Sequence, residues 1–587
     1  MLVTALCASL LLASPTTDAA GDSAKAAASA PAPDWQPDLS DPRQRMLSAL
    51  VDELQRAQRG LKMKGQEAPY FLGYAVRGIT SQEIGGKYGA LFLDSARRER
   101  RVQVDVRVGS YEFDNTGAQE MFDLDAGDTA YQAGREGPID ADGPALRNSL
   151  WLLTDEAYKK ALNAYLKKKA KEIYKVDDPN RPQSFSREDP QVAVEAPKAR
   201  PFDKQAWVAE VRRQTGRLQK HTELFDSQMR VGVEHEEREL ATSEGTRLIT
   251  ESVIYGLHVQ AFARAPDGML LENSRDYYSS AEQELPRGPA LEEKVDEMVT
   301  ELLALRKAPV LDPYTGPALL APEASGVLFH EAVGHRLEGE RQNDDKDGRT
   351  FKGQAGKPII PTFLSIEDDP TRARFDNKPL NGHYRFDDQG VPAKRVVLVE
   401  NGVLRTFLMS RAPVQGFHRS NGHGRSAPGR DPVARMANLI VTSSKPTSNN
   451  DLKKMLIAEA RRQGKPFGLL IRDVTGGNTD TTGYAYQAFK GQPRLVYAVD
   501  AQTGEERLVR GVEIVGTPLT SINKIVATGD EERIFNGYCG AESGFVPVST
   551  VAPTILIQEI ELQRTRKDSG RPPLLPSPWA APAAVRQ

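Results

Sequence analysis

In the first half of the chain, the pattern of apolar and polar positions predicts the same order of elements twice. Each time, a helix is followed by three strands and a second helix. Apolar residues recur at helical spacing in four stretches, and between them six stretches alternate apolar and polar residues as half-buried strands do. The helical stretches are 45–61, 149–174, 204–220 and 291–308, and the alternating ones are 70–80, 87–97, 100–113, 227–242, 246–265 and 268–278. The pattern predicts a layered α+β domain over residues 44–312.

After Pro313 the pattern changes to short strands and turns, as in residues 393–410, 493–516 and 553–563. The turn sequence "VENG", which ends at Gly402, is typical of a hairpin. The sequence therefore predicts a mostly antiparallel β domain over residues 313–566. One apolar helical segment, "LLAPEASGVLFHEAVGHRLEGE" at 319–340, is expected to lie on this domain.

The two ends of the chain differ from the body. Residues 1–20 hold a short apolar core followed by small residues, which is typical of a secretory signal peptide and predicts a periplasmic or secreted protein, with the cytoplasm as the alternative. Residues 21–43 are rich in Ala, Ser, Pro and Asp and predict a linker, and residues 567–587 predict a disordered tail. No transmembrane segment is predicted, because no stretch approaches the ~20 apolar residues that one needs.

Charge and cysteine content narrow the possible partners and compartments. The net charge of −3 over 587 residues gives no reason to expect nucleic acid as a partner, because such binding requires a concentrated positive field. The two cysteines are Cys7 and Cys539, so removal of a signal peptide would leave one thiol and no internal disulfide. A lone thiol in an oxidising compartment is expected to be buried or bound to a ligand.

The segment 319–340 carries the candidate chemistry, in His330, Glu331 and His335. Zinc proteases with the motif H-E-x-x-H have histidines four residues apart, on one helix face. Here the step is five residues, which on an α-helix separates the side chains by about 140°. Since Gly334 eases irregular backbone, we expect a one-residue bulge or a helix end between Glu331 and His335.

Two other polar residues could take part in a metal site, and the two histidines could also have no functional role. Glu338 lies one turn past His335 and is an alternative third metal ligand. His423, in the glycine-rich "SNGHGR", is either a surface turn histidine or a residue that reaches the site to orient substrate. The two histidines of the helix could also form no more than its polar edge.

Four segments of the second half resemble those of the bacterial TldD/PmbA peptidase family: "PYTGPALLAPEASGVLFHEAVGHRLEGE", "FLMSRAPVQGFHRSNGHGR", "DVTGGNTDTTGYAYQAF" and "NGYCGAESGFVPVSTVAPTILI". The resemblance implies a zinc ion held by His330, His335 and Cys539, with Glu331 as the catalytic base for a water molecule that zinc activates. It implies unfolded or flexible peptides as substrates, and assembly as a homodimer or as a heterodimer with a related subunit. Since this chain keeps the full residue set, it resembles the active kind of subunit.

Two further functions use the same residues differently. A non-catalytic subunit could hold a peptide or a partner chain without cutting it, and a metalloamidase could use the same ligand set on a small amide. The stretch "TGGNTDTTG" at 475–483 lacks the G-K-[ST] ending of a phosphate-binding loop. A glycine-rich strand that lets a peptide backbone approach fits it better.

Overall fold

The structure is a computed structural model that describes residues 35–116, 134–140, 143–172, 180–343, 350–479, 489–516 and 518–565. The predicted signal peptide at 1–20 and the predicted tail at 567–587 lie outside the described residues, as does the linker up to residue 34. Among the described helices, none combines the length and hydrophobicity needed to cross a bilayer.

The first half folds into a long sheet with four helices. The helices are α1 (Pro42–Gly60), α2 (Gly143–Glu172), α3 (Lys204–Leu218) and α4 (Gly288–Lys307). The strands are β1 (Pro69–Lys87), β2 (Ala90–Val108), β3 (Gly134–Glu136), β4 (Val192–Val194), β5 (Leu224–Thr242), β6 (Arg247–Arg264) and β7 (Leu270–Ser279). Helix α1 begins inside the predicted linker, because Asp41 caps its first turn and Pro42 fits the first helical position.

The strands of this seven-stranded sheet follow the order β3-β2-β1-β5-β6-β4, and β7 also pairs with β6. Tyr74, beneath α1 and α2, and Ile84, beside α3 and α4, are an even number of residues apart on β1. Side chains at even spacing point to the same face of a strand, so both helix pairs cover one face of the sheet. The other face meets the second half, where Arg77 donates to the Ser426 carbonyl oxygen at 2.7 Å.

The second half is mostly strand. Its helices are α5 (Pro322–Ala332), α6 (Asn449–Arg462) and α7 (Pro518–Asn523). Its strands are β8 (Tyr314–Leu320), β9 (Leu364–Asp368), β10 (Arg374–Phe375), β11 (Lys378–Pro379), β12 (Val396–Glu400), β13 (Val403–Leu404), β14 (Gly424–Arg425), β15 (Val433–Ala434), β16 (Asn438–Ser443), β17 (Pro446–Thr447), β18 (Phe467–Thr479), β19 (Phe489–Asp500), β20 (Glu506–Val509), β21 (Val512–Gly516), β22 (Ile525–Ala541) and β23 (Gly544–Arg564).

Twelve of these strands form one sheet, in which β8, β18, β19, β21 and β23 pair successively and close into a ring. Parallel pairing occurs at β8–β18, β16–β23 and β17–β22, and the other described pairs in this sheet are antiparallel. Helix α5 follows β8 directly and packs its apolar side chains into the core of this half. The expected α+β fold, with a mostly antiparallel second half that carries the histidine helix, is confirmed.

The structure confirms one local prediction, a hairpin turn, and corrects another, the extent of the helix predicted at 319–340. Asn401 and Gly402, with φ of 48° and 81°, form the tight turn between β12 and β13 that "VENG" predicts. The segment 319–340 is not one helix, because Leu319 and Leu320 belong to β8 and the α-helix ends at Ala332. The apolar run at its start is buried sheet, which periodicity alone does not separate from a buried helix.

Candidate metal centre

The end of α5 places the two histidines. The α-helix stops at Ala332, Val333 takes φ −118° and ψ −47°, and Gly334–Leu337 continues as a 3-10 turn. A Cβ on Gly334 would lie 2.1 Å from the sulfur of Met436, so a larger residue at this position would require the Met436 side chain to move. The helix end expected between Glu331 and His335 is therefore present, and the two imidazole centroids lie 5.0 Å apart.

The third candidate ligand comes from the long hairpin of β22 and β23. It brings the Cys539 sulfur to 3.1 Å from His330 Nε2 and to 3.4 Å from His335 Nε2. One donor atom from each of the three residues lies within 4.8 Å of the other two, and all three residues are buried. The fold thus gathers residues that are more than 200 positions apart in sequence.

The spacing of these atoms suits a zinc ion. Zinc bonds of about 2.3 Å to sulfur and 2.0–2.1 Å to nitrogen, at tetrahedral angles, put sulfur and nitrogen about 3.5 Å apart. The two observed separations, 3.1 and 3.4 Å, are close to that value. Two imidazoles and one thiol are also a donor set that zinc commonly takes, with a fourth position left for water or substrate.

Charge at this site favours the thiolate. Burial opposes the charged form of Cys539, yet the two neighbouring imidazoles hold the pKa of its thiol well below the ordinary value. Burial likewise opposes a charged His335, but Cys539 and Glu338 raise the pKa of its imidazole. Since the thiolate is the form of cysteine that binds metals, the surroundings prepare Cys539 for that role.

Glu331 lies beside the three donors and outside their triangle. Its Oε2 is 4.0 Å from His335 Nε2, and its side chain lines the cavity onto which the donors open. A carboxylate at this distance can reach a water molecule that occupies the space between it and the donors.

Glu338 and His423 do not occupy the places that the alternatives require. Both carboxylate oxygens of Glu338 are 3.2 Å from His335 Nδ1, on the side of the ring away from Cys539. His423 is fully buried, with Nε2 3.3 Å from Asp368 Oδ1 and Nδ1 3.0 Å from Asn421 Oδ1. It is neither a surface turn residue nor part of the cavity lining.

The donors open onto a cavity of about 1990 Å³ that both halves of the chain line. Its wall includes Tyr278 from β7, Tyr538 next to Cys539, and Phe545 from β23. The Tyr278 and Tyr538 rings meet edge to face at 5.9 Å, and Tyr538 and Phe545 are 42% and 71% exposed. Sequence reasoning missed all three aromatics. Tyr538 could have been found from its position beside Cys539, whereas Tyr278 enters only through the packing of the two halves.

Comparison with known proteins gives one domain match and several relatives. Residues 313–564 match the PmbA/TldA metallopeptidase C-terminal domain. The chain is 28% identical to Metalloprotease MJ0996 of Methanocaldococcus jannaschii over 52% of this chain and 63% of that protein. It is 27% identical to the zinc metalloprotease TldD homolog of Saccharolobus solfataricus over 42% of this chain and 51% of that protein. Less than two thirds of either relative is thus spanned.

The fold is shared with a solved structure at low sequence identity. TldE from Thermococcus kodakarensis superposes with a TM-score of 0.56 at 14% identity, covering 88% of this chain and 100% of that one. The shared architecture therefore extends beyond the matched C-terminal domain into the first half of the chain.

Proposed function

We propose that the chain is a member of the TldD/PmbA metallopeptidase family and a zinc-dependent peptidase that hydrolyses unfolded or flexible peptides, because residues 313–564 match the C-terminal domain of that family. The observation that carries the proposal is the convergence of His330, His335 and Cys539 beside Glu331 at the wall of one cavity. One relative is named a zinc metalloprotease, which supports the choice of metal.

His330, His335 and Cys539 would hold the metal through two ring nitrogens and one sulfur. With neutral imidazoles and a thiolate, this set compensates one of the two charges of a zinc ion. When bound, zinc supplies a Lewis acid that lowers the pKa of water to about 7 and polarises a peptide carbonyl.

Glu331 would move the proton. Its carboxylate would take a proton from water as the water oxygen bonds to the peptide carbonyl carbon, and would deliver that proton to the leaving nitrogen. The scissile C–N bond would then break to give a carboxylic acid and a free amine. Because Glu331 follows His330 directly on α5, the ligand fixes the position of the base.

The cavity supports an extended peptide as substrate. Its volume of about 1990 Å³ exceeds the ~300–1,000 Å³ of ordinary small-molecule pockets. Gly476 lies on its wall, and a Cβ there would meet no described atom within 4 Å, so packing against the described residues does not require glycine. An added backbone strand could occupy that space. The exposed aromatics Tyr538 and Phe545 offer contacts to apolar side chains, which folded proteins bury.

The test is zinc content together with hydrolysis of a disordered polypeptide and of a folded protein. The wild type should bind about one zinc and cut the disordered substrate preferentially. Glu331→Gln should lower kcat by about 10²- to 10⁴-fold while zinc stays bound. Glu293→Gln, an exposed change on α4 outside the cavity lining, is the matched control. Activity retained in Glu331→Gln would remove the mechanism.

The same measurements separate the alternatives. A non-catalytic binding or assembly subunit would hold peptide with no zinc and no cleavage. A metalloamidase would bind zinc but prefer a small amide to the disordered polypeptide, so comparison of the two substrate classes decides.

Assembly, location and domain boundaries are proposals as well. The fold shared with a protein named TldE supports a homodimer or a heterodimer with a related subunit, which light scattering of the purified chain, alone and with a related subunit, would test. The periplasmic or secreted location rests on residues 1–20 alone, and the mass of the mature protein would decide it. The boundary between residues 312 and 313 would be tested by limited proteolysis.

A further inference from the structure

Behind the three candidate ligands lies a polar layer formed by the buried Glu338 and Arg435 and the partly buried Arg341. Glu338 and Arg435 are 1% and 0% exposed, and the Glu338 carboxylate accepts from Arg341 Nε at 2.8 Å. Burying such charges is costly for folding, and packing alone would be served equally well by apolar side chains. Unlike other buried ion pairs of the chain, such as Glu244 with Arg411, this layer contacts two of the candidate ligands.

Glu338 fixes the orientation of one ligand. Both of its oxygens lie 3.2 Å from His335 Nδ1, the position from which a ring N–H donates. When Nδ1 carries the hydrogen, the lone pair of the neutral ring is on Nε2, which lies 3.4 Å from the Cys539 sulfur. The carboxylate thus selects the tautomer that can bind a metal.

Arg435 fixes the other ligand through its backbone. Its Nη2 donates to the Cys539 carbonyl oxygen at 2.6 Å, and its Nη1 donates to Ser543 Oγ at 2.7 Å and to the Gly544 carbonyl oxygen at 3.0 Å. One guanidinium therefore holds both ends of the turn between β22 and β23. Arg435 Nε is also 3.6 Å from Glu338 Oε1, so a single ion pair connects the supports of His335 and Cys539.

We propose that Glu338 and Arg435 are positioning residues that hold His335 and Cys539 in ligand geometry and thereby set the affinity of the site for its metal ion. The inference rests on the proposed zinc site, but it concerns metal binding rather than hydrolysis. Partners of this kind, which contact a ligand and not the metal, typically change metal affinity 10- to 100-fold when removed.

The experiment measures the dissociation constants of zinc and of cobalt by competition with a chelator. Glu338→Gln should weaken both by roughly 10- to 100-fold. Arg435→Gln should weaken them similarly and reduce the thiolate-to-cobalt absorption band, because the Cys539 backbone loses its anchor. Glu244→Gln is the matched control, since Glu244 forms a buried pair with Arg411 at 2.7 Å and neither residue is among the three candidate ligands. It should leave both dissociation constants unchanged.

The outcomes separate this inference from the proposed function. A wild type that binds metal overturns the inference alone if Glu338→Gln has unchanged metal affinity, or if Arg435→Gln has unchanged affinity and an unchanged cobalt band. A wild type that binds metal but cuts no peptide removes the proposed function and leaves the inference standing. If circular dichroism shows that Glu338→Gln does not fold, Glu338→Asp decides: it keeps the charge but is one methylene shorter, so wild-type metal affinity would overturn the proposal.

Discussion

Two buried histidines, one in each half of the chain, have nearly the same surroundings. His235 in the seven-stranded sheet and His335 after α5 are both 6% exposed, and each ring contacts a buried glutamate. His235 Nε2 is 2.9 Å from Glu251, which pairs with Arg43, and His335 Nδ1 is 3.2 Å from Glu338, which pairs with Arg341. Burial, carboxylate and arginine therefore do not distinguish a functional histidine from a structural one.

The two histidines differ at their second ring nitrogen. The other nitrogen of His235 contacts Arg200, so the protein's own side chains engage both nitrogens. The other nitrogen of His335 faces the Cys539 sulfur, which also faces His330, and this group opens onto the cavity. Within the described residues, these three form the group whose donor atoms converge as metal ligands do. The candidate metal site is therefore distinguished by donor atoms that converge and open onto the cavity, and not by burial.

The largest expected difference between the two regions is in metal binding. Structural zinc sites bind with about 10–16 kcal/mol over four ligands, so one ligand contributes ~2.5–4 kcal/mol, or roughly 10²- to 10³-fold in affinity. Cys539→Ser should lower zinc affinity by about that factor, because a neutral hydroxyl replaces a thiolate. Chelator competition measures it. His235→Asn should leave zinc affinity at the wild-type value, and equal losses in both variants would contradict the distinction.

The sequence predicts the first half of the chain better than it predicts the candidate metal centre, because the first half follows local patterns and the centre depends on contacts between distant residues. Regular alternation and helical spacing give the α+β class and the helices of the first half, because each element there obeys a local rule. The helix end at Ala332 was predictable from the five-residue step and Gly334. The position of Cys539 was expected only from resemblance to a family, because no local rule relates residues more than 200 apart. The roles of Glu338 and His423 were missed, since both depend on contacts made by the folded chain.

The second largest effect is expected on the stability of the seven-stranded sheet, where Glu251 is buried. Glu251 accepts from Arg43 Nη1 at 2.5 Å, from His235 Nε2 at 2.9 Å and from the Lys198 amide at 2.7 Å, and its side chain is 2% exposed. Glu251→Gln leaves the buried Arg43 with less compensating charge. We expect it to lower the free energy of unfolding by about 2–3 kcal/mol at pH 7 in denaturant titrations.

The pH dependence of this loss in unfolding free energy tests whether the charge of Glu251 causes it. Burial raises the pKa of Glu251, but hydrogen bonds from His235, Lys198 and Arg43 outweigh it and lower the pKa below the usual 4.5. A carboxyl with a lowered folded pKa stabilises above its unfolded pKa and loses that contribution as the pH falls through the folded value. The difference between wild type and Glu251→Gln should therefore shrink below about pH 4.5. Zinc affinity in Glu251→Gln should equal that of the wild type, and a loss would show that the two clusters are coupled.

The smallest effect is expected at a third histidine and carboxylate pair, which is partly exposed. His258 on β6 faces Asp276 on β7, with side chains 36% and 42% exposed. The hydrogen bond that Asp276 accepts from His258 raises the pKa of His258, while burial and Arg230 oppose the shift. Because the folded pKa is raised, the stabilisation is complete below the unfolded pKa of about 6.5 and is lost as the pH rises through the folded value. Solvent screening limits it to less than about 1 kcal/mol.

Asp276→Asn should accordingly lower the free energy of unfolding slightly at pH 6 and by less at pH 9, because the contribution of the pair is lost as the pH rises through the folded pKa of His258. Denaturant titrations at the two pH values measure this, and a proton NMR titration should show the pKa of His258 falling toward its ordinary value in the variant. An equal loss at both pH values would mean that Asp276 acts through packing or neutral hydrogen bonds. The charges of the exposed pair would then contribute nothing to the free energy of unfolding, and only a buried pair of this kind would be stabilising.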